Sequence, residues 1–265
     1  MTFLPRLALV LLPIACWLVQ TPPSRAQQAE THVDGTGVNH QIFDALLKKH
    51  VHGKGVDYAG VRDDMGELQD YLAELGTATV DGASRKEKLA LYINAYNAFT
   101  LRLVARHYPD IESIRDIPNP WGSEQWVVAG QTLSLDQIEH GILRGELQEP
   151  RIHFAVNCAS ISCPPLQPYA FLPDRIDKQL NAVTREFLRS DAVQLSVRKG
   201  LLGRKKYLLT VSRIFKWFGE DFQPSVPEFI ARHTDPRTAE TIRQNLKRIS
   251  LKFQDYDWGL NDYMR

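Results

Sequence analysis

The sequence predicts a single α+β domain, with helices arranged around a small, mostly antiparallel sheet. Three observations point there. Several stretches repeat apolar residues at helical spacing and begin with capping residues. Alternating apolar stretches flank turn signals and predict hairpins. No internal repeat, low-complexity tract or Pro/Gly-rich linker divides the chain. The 265 residues are 43% hydrophobic and 24% charged, proportions of a globular protein rather than a disordered, collagen-like or membrane-embedded one. Lys and Arg total 32 against 31 Asp and Glu, so no positive excess marks a nucleic-acid binder.

Residues 1–26 are expected to be a signal peptide. Arg6 supplies the positive flank, residues 7–19 an apolar run, and Ser24-Arg25-Ala26 a small-x-small cleavage pattern. The run is too short, and too interrupted by Pro13, to span a membrane. Export, to the periplasm or the medium, follows from this expectation. Cleavage would remove Cys16 and leave two cysteines, Cys158 and Cys163, in a compartment where a disulfide can persist. Residues 27–39 are expected to be a loose lead-in, and residues 40–265 the domain.

Ile42, Leu46 and Leu47 predict a short helix ending near Gly53. Residues 56–58 suggest an extended link. Met65, Leu68, Leu72 and Leu75 predict a second helix, stopped by Gly76. Ser84 and Glu87 form a capping box that opens a long helix to about His107, ended by Pro109. Leu89, Ile93, Tyr96, Leu103 and Val104 lie along this helix, with Leu91, Tyr92, Phe99 and Leu101 on its other faces; a helix apolar nearly all round is central.

Residues 126–128 and 132–133 flank Gly130-Gln131 as a hairpin. Ser134 and Gln137 cap a helix over residues 135–144. Ile152, Phe154 and Val156 alternate and predict a strand over 151–157, followed by a loop that Pro164-Pro165 keeps out of any sheet. Ile176, Leu180, Val183 and Phe187 predict another helix. Residues 193–197 and 207–211 form a second hairpin across a Gly200–Gly203 turn with a basic tip at 204–206. Ser212 caps a short helix through Trp217, helices follow at 227–233 and 236–246, the latter capped by Asp235 with Pro236 at its first position, and Ile249, Leu251 and Phe253 predict a last strand.

The chemistry concentrates in residues 151–158. Cys158 stands where the predicted strand gives way to a turn, and loops at strand ends commonly carry function. A catalytic thiol needs a base and a group to orient it. His153, five residues upstream on one strand with opposite parity, would lie about 16 Å away. His140, on the preceding helix, is the better base. Its neighbour Glu139 diverges from it on a helix and is a weak choice to orient it. Asn94 and Asn97, three apart on the central helix, are candidates to orient the base or donate to an oxyanion. Arg151, through its planar fork, and Asn157 are candidate substrate-binding residues.

Structural alternatives stand beside these. Cys158 and Cys163 could form a disulfide that closes a six-residue loop, stabilising by roughly 2 kcal/mol, or Cys163 could act as a resolving thiol. Asn94 and Asn97 could tie down loops. Arg151 could be an ion-pair residue. His140, His153, Cys158 and Cys163 have no standard metal spacing, and no metal or cofactor is expected. Trp121, Trp126, Trp217 and Trp258 could line a groove or fill the core.

Five segments together resemble the DUF547 family: 56–58 (VDY), 88–98 (KLALYINAYNA), 133–144 (LSLDQIEHGILR), 150–166 (PRIHFAVNCASISCPPL) and 212–217 (SRIFKW). They run in order over most of residues 40–258. The resemblance implies one exported domain of the bacterial kind, distantly similar to papain-like thiol hydrolases and transferases. The papain-like order is Cys, His, then Asn or Asp; here His140 precedes Cys158, so that similarity implies a permuted arrangement. The expected function is a cysteine-dependent hydrolase or transferase acting on a peptide, amide or thiol-containing small molecule. The alternative is a non-enzymatic binding module, stapled by Cys158–Cys163, that docks an envelope protein or a ligand.

Overall fold

In the computed structural model, which describes residues 33–199 and 205–264, the element closest to the centre is α4 (Arg85–His107). The Ser84 side chain accepts from the Glu87 N–H and the Glu87 carboxylate accepts from the Ser84 N–H, completing the capping box. Residues 89–101 of this helix are buried without a break. A helix buried on every face needs partners on every face. Those partners include α2 (Tyr58–Asp63), α3 (Met65–Thr77), α5 (Ile176–Arg189) and a π-helix, Gln137–Glu146. α1 (Gln41–His50) packs outside α2 and α3.

The strands are short and form three small sheets. β1 (Val51–His52) pairs antiparallel with β2 (Gly55–Val56). β3 (Trp126–Val128) and β4 (Gln131–Leu133) make the first predicted hairpin. Ala129 and Gly130 between them both have positive φ, 50° and 70°, as a type I′ turn requires. Their N–H groups donate to the Leu75 and Gly76 carbonyls at 2.8 and 3.0 Å. The turn thus caps the end of α3, which runs through Gly76 instead of stopping before it. The third sheet has the order β5 (Val193–Lys199), β6 (Lys205–Val211), β7 (Ile249–Phe253). β5 and β6 form the second predicted hairpin, with Val193 opposite Val211; its turn and Arg204 lie outside the described residues. β7 runs parallel to β6, returning after α6 (Ile214–Trp217), α7 (Val226–His233) and α8 (Pro236–Asn245). The α+β class holds, with one parallel pair in an otherwise antiparallel set. Among the described residues no helix is long and apolar enough to cross a membrane. The segment 1–26 lies outside the described residues.

Two local expectations are corrected. Asp57 does not belong to an extended link: its side chain accepts from the Gly60 N–H and caps α2. Residues 151–157 are not a strand. Pro150–Phe154 is a 3₁₀ helix, with the Glu149 side chain accepting from the Arg151 N–H and proline at the first turn. Ile152, His153 and Phe154 are all buried, so the alternation of apolar residues does not mark a face turned to solvent.

The last residues clasp the loops. β-bridges join Val56 to Asp262, Ser113 to Gly259 and Ser160 to Leu260. A Cβ on Gly55 would lie 2.8 Å from the Tyr263 backbone, so only glycine permits that approach.

Candidate active site

Cys158 begins a tight loop held by amides. The Asn97 side-chain oxygen accepts from the Asn157 N–H at 2.9 Å, and its amide donates to the Ala155 carbonyl at 3.0 Å. The Asn157 amide donates to the Pro164 carbonyl at 2.8 Å, while its oxygen accepts from the Ala159 N–H at 2.9 Å. These bonds fold residues 157–164 back on themselves. Ala159 sits at φ 60°, left-handed backbone that a non-glycine residue adopts only where its surroundings hold it.

That turn brings Cys163 over Cys158. The two sulfurs are 3.0 Å apart, and both cysteines are free thiols; a disulfide would need about 2.05 Å. The Cys158 backbone N–H donates to the Cys163 sulfur at 3.1 Å. The Cys158 sulfur also meets the hydroxyls of Ser160 and Tyr256, each at 3.3 Å. The Cys163 thiol contributes most to lowering the Cys158 pKa, to about 7, with the Ser160 and Tyr256 hydroxyls adding to it against the effect of burial. Burial, and then the hydrogen bond to Cys158 and its charge, hold Cys163 well above the ordinary thiol range. The first proton therefore leaves Cys158, and the Cys163 S–H then donates to the thiolate.

Cys158 borders a pocket of about 230 Å³ shared with His140, His153, Glu139 and several aromatic side chains. The predicted His140–Cys158 pair therefore shares one cavity, without a direct hydrogen bond between the two. Arg144 donates from Nη1 to His140 Nδ1 at 3.0 Å. Arginine has no acceptor, so Nδ1 carries the lone pair and Nε2 the proton. His140 Nε2 faces the Asp136 carboxylate at 3.7 Å, so each ring nitrogen has a neighbour of its own. Arg144 is fixed in turn by Asp221, at 2.6 and 3.0 Å, and His153 Nε2 meets the same Asp221 at 2.6 Å. Burial lowers the His153 pKa and keeps its ring neutral. Burial acts to raise the Asp221 carboxyl, but hydrogen bonds from His153 and Arg144 outweigh it and hold that carboxyl well below the usual carboxylate range.

Glu139 stands out. It is buried, burial raises its pKa, and the opposing influences come from the neighbouring His140, the Tyr96 hydroxyl and Arg144. Sequence reasoning weighed it only as an orienter of His140. The π-helix places both side chains on the pocket, because five-residue hydrogen bonds such as Leu147 N–H to the Ile142 carbonyl at 2.8 Å widen each turn. Tyr256 and Ser160 are also absent from the sequence-derived candidates. Their signal is spatial: Tyr256 lies 98 residues from Cys158.

Other candidates fall elsewhere. The buried Asn94 amide is spent on the Phe171 backbone, at 2.8 and 2.9 Å, and on His40 at 3.2 Å, away from the pocket. Arg151 is bound by Glu149, Asp177 and Asn181 and borders a different cleft. Of the four tryptophans, Trp121, Trp217 and Trp258 line the pocket, whereas Trp126 is buried and stacked on Phe99 at 4.9 Å. Among the described residues no group of three or more His, Cys, Asp or Glu side chains is arranged to hold a metal ion.

The arrangement defines a dithiol pocket on an α+β scaffold. A family model described as "Protein of unknown function, DUF547" matches residues 80–188, which include α4, the first hairpin, the π-helix and the thiol loop. Over those residues the chain matches the DUF547 family. Three of its five resembling segments fall inside the match, while 56–58 and 212–217 lie outside it. No curated protein and no solved structure matches the chain.

Proposed function

We propose that the protein is a cysteine-dependent hydrolase or transferase, with Cys158 as nucleophile, acting on a peptide, amide or thiol-containing small molecule. The observation that carries this reading is the setting of the Cys158 sulfur: a free thiol on the wall of a pocket, met by the Cys163 thiol and the Ser160 and Tyr256 hydroxyls. A thiolate so stabilised is the reactive form. It attacks the carbonyl carbon, a C–S bond forms and the carbonyl electrons move to oxygen. His140, on the same pocket wall, donates to that oxyanion. The protonated Glu139 carboxyl gives its proton to the leaving amine or thiol as the carbonyl re-forms. Water, or a second thiol or amine, then takes the acyl group from sulfur, and Glu139 recovers a proton. Asn97 and Asn157 are positioning residues that hold the loop. The same proposal places the protein outside the cytoplasm, on the strength of residues 1–26.

The test is selective alkylation of reduced protein by iodoacetamide from pH 5.5 to 9, read by peptide mass. Cys158 should react first, with a half-maximal rate near pH 7. Trapping with activated esters should add one acyl mass to Cys158 and none to Cys158→Ala. Alkylation of Cys158 no faster than a free thiol at pH 7, or a reduction-resistant Cys158–Cys163 bridge, would overturn the reading and favour a stapled binding module.

A further inference from the structure

We propose that the Cys158 pocket receives an organic cation, so that the substrate carries an alkylammonium group near the bond that reacts. This rests on the reading of Cys158 as the reactive thiol and adds the substrate class to it. The first observation is the wall. Tyr256 lies at 4.6 Å from Trp258 and 4.8 Å from Trp217, and Trp258 lies at 5.6 Å from Trp217 and 5.8 Å from Trp121, centroid to centroid. Tyr96 and Phe218 complete an aromatic lining. Aromatic faces carry negative potential and attract desolvated cations, tryptophan most strongly.

The second observation is the charge of the lining. It contains two acidic residues, Asp136 and Glu139, the thiol of Cys158 and the rings of His140 and His153, but no Lys or Arg. Asp136 is half exposed and so stands at the mouth, whereas Glu139 is buried. Of the two histidines in the lining, His153 is buried, and burial disfavours its charged form. Arg144 and Arg115 lie outside the lining, yet their guanidiniums rest at 4.9 Å from the Phe218 ring and 5.2 Å from the Trp258 ring. Rings of this cluster thus already take cations on one side.

The third observation is access. The Trp217 side of the pocket is open, with 42% of the residue exposed. Trp217 and Asp136 are both exposed members of the lining, where a cation would first meet it. A trimethylammonium head would sit against tryptophan rings, and an attached acyl or sulfenyl group would extend toward Cys158. An anionic substrate would meet the Asp136 carboxylate and the Cys158 thiolate with no Lys or Arg in the lining.

Two measurements test this. In Cys158→Ala, choline and its neutral isostere 3,3-dimethylbutan-1-ol are compared by tryptophan fluorescence. Choline should bind at least about tenfold more tightly, and Trp258→Leu should reduce the difference. In Cys163→Ser, Cys158 is modified by trimethylammonioethyl and by sulfonatoethyl methanethiosulfonate. Its thiolate attacks the sulfenyl sulfur, the S–S bond forms and methanesulfinate leaves. The cation-to-anion rate ratio should exceed that of free 2-mercaptoethanol by about tenfold. Asp136→Asn, a change at an exposed position, should lower it. Equal binding of choline and the isostere, or a rate ratio no greater than that of the free thiol, overturns the proposal. If charge preference is lost while Cys158 still alkylates with a midpoint near pH 7, the inference alone fails. If charge preference persists around an inert Cys158, the enzymatic reading alone fails.

Discussion

The sulfur of Cys158 lies 3.0 Å from that of Cys163, and one thiol activates the other without help from a histidine in direct contact. Removing Cys163 should therefore matter more than removing His140 for thiol reactivity. In Cys163→Ala the midpoint of Cys158 alkylation should move from near 7 toward the ordinary thiol value of about 8.5, and the rate at pH 7 should fall several-fold. His140→Gln should leave the midpoint in place while slowing acyl transfer. Stopped-flow alkylation against pH separates the two.

Tyr256→Phe removes one hydroxyl from the Cys158 sulfur and its 2.9 Å bond to Ser160, while the ring stays. The alkylation midpoint should rise, but by less than in Cys163→Ala, because the Cys163 thiol is the larger influence. Melting of this variant by circular dichroism should stay close to that of the parent. A midpoint equal to that of the parent would count against the hydroxyl's part in activation.

Asn94 and Asn97 should separate cleanly. Each buried amide makes two bonds to backbone, and leaving those groups unpaired costs about 1–3 kcal/mol. Both alanine variants should lose that order of stability in urea unfolding. Only Asn97→Ala should also slow Cys158 alkylation under native conditions, since Asn97 holds the thiol loop and Asn94 holds the backbone at Phe171.

His153 makes the fold sensitive to mild acid. Its folded pKa lies below the unfolded value of about 6.5 because burial disfavours the imidazolium. Its contribution is complete above that pH and declines as pH drops toward the folded pKa, where the unfolded chain binds the extra proton. Glu139, raised by burial, works in the opposite sense. The difference between parent and His153→Gln isolates the histidine: urea midpoints should diverge from pH 7.5 to 5.5, with the parent losing more stability.

Much of the scaffold is legible in the residues. Ser84 and Glu87 announce α4, Asp235 and Pro236 announce α8, and the alternation at 193–197 and 207–211 announces β5 and β6, because each pattern reports a local interaction. Residues 150–154 mislead for a physical reason. Ile152, Phe154 and Val156 are buried on all sides, so a period of two carries no information about a solvent face. Glu149 followed by Pro150 is the local signal that marks the helical turn. The candidate site is half legible: Cys158, Cys163 and His140 lie within one stretch of chain and share the pocket. Glu139 is missed because neighbours on an α-helix diverge, whereas a π-helix lets both border the cavity. Tyr256 and Trp258 are brought there by the return of the chain through β7, whose pairing with β6 no local pattern encodes, and Trp217 reaches the same lining from the end of α6.

That return has a consequence for the order in which the protein becomes competent. The thiols, the carboxyl of Glu139 and the amides that hold the loop are all complete by residue 163. The second hydroxyl that meets Cys158 arrives at residue 256, and the bridges at Gly259, Leu260 and Asp262 seal the loops after it. A ribosome must therefore add almost a hundred further residues before the sulfur acquires its final partner. During that interval Cys158 is a nascent-chain thiol without its tyrosine, and full reactivity is deferred until residue 256 has been made.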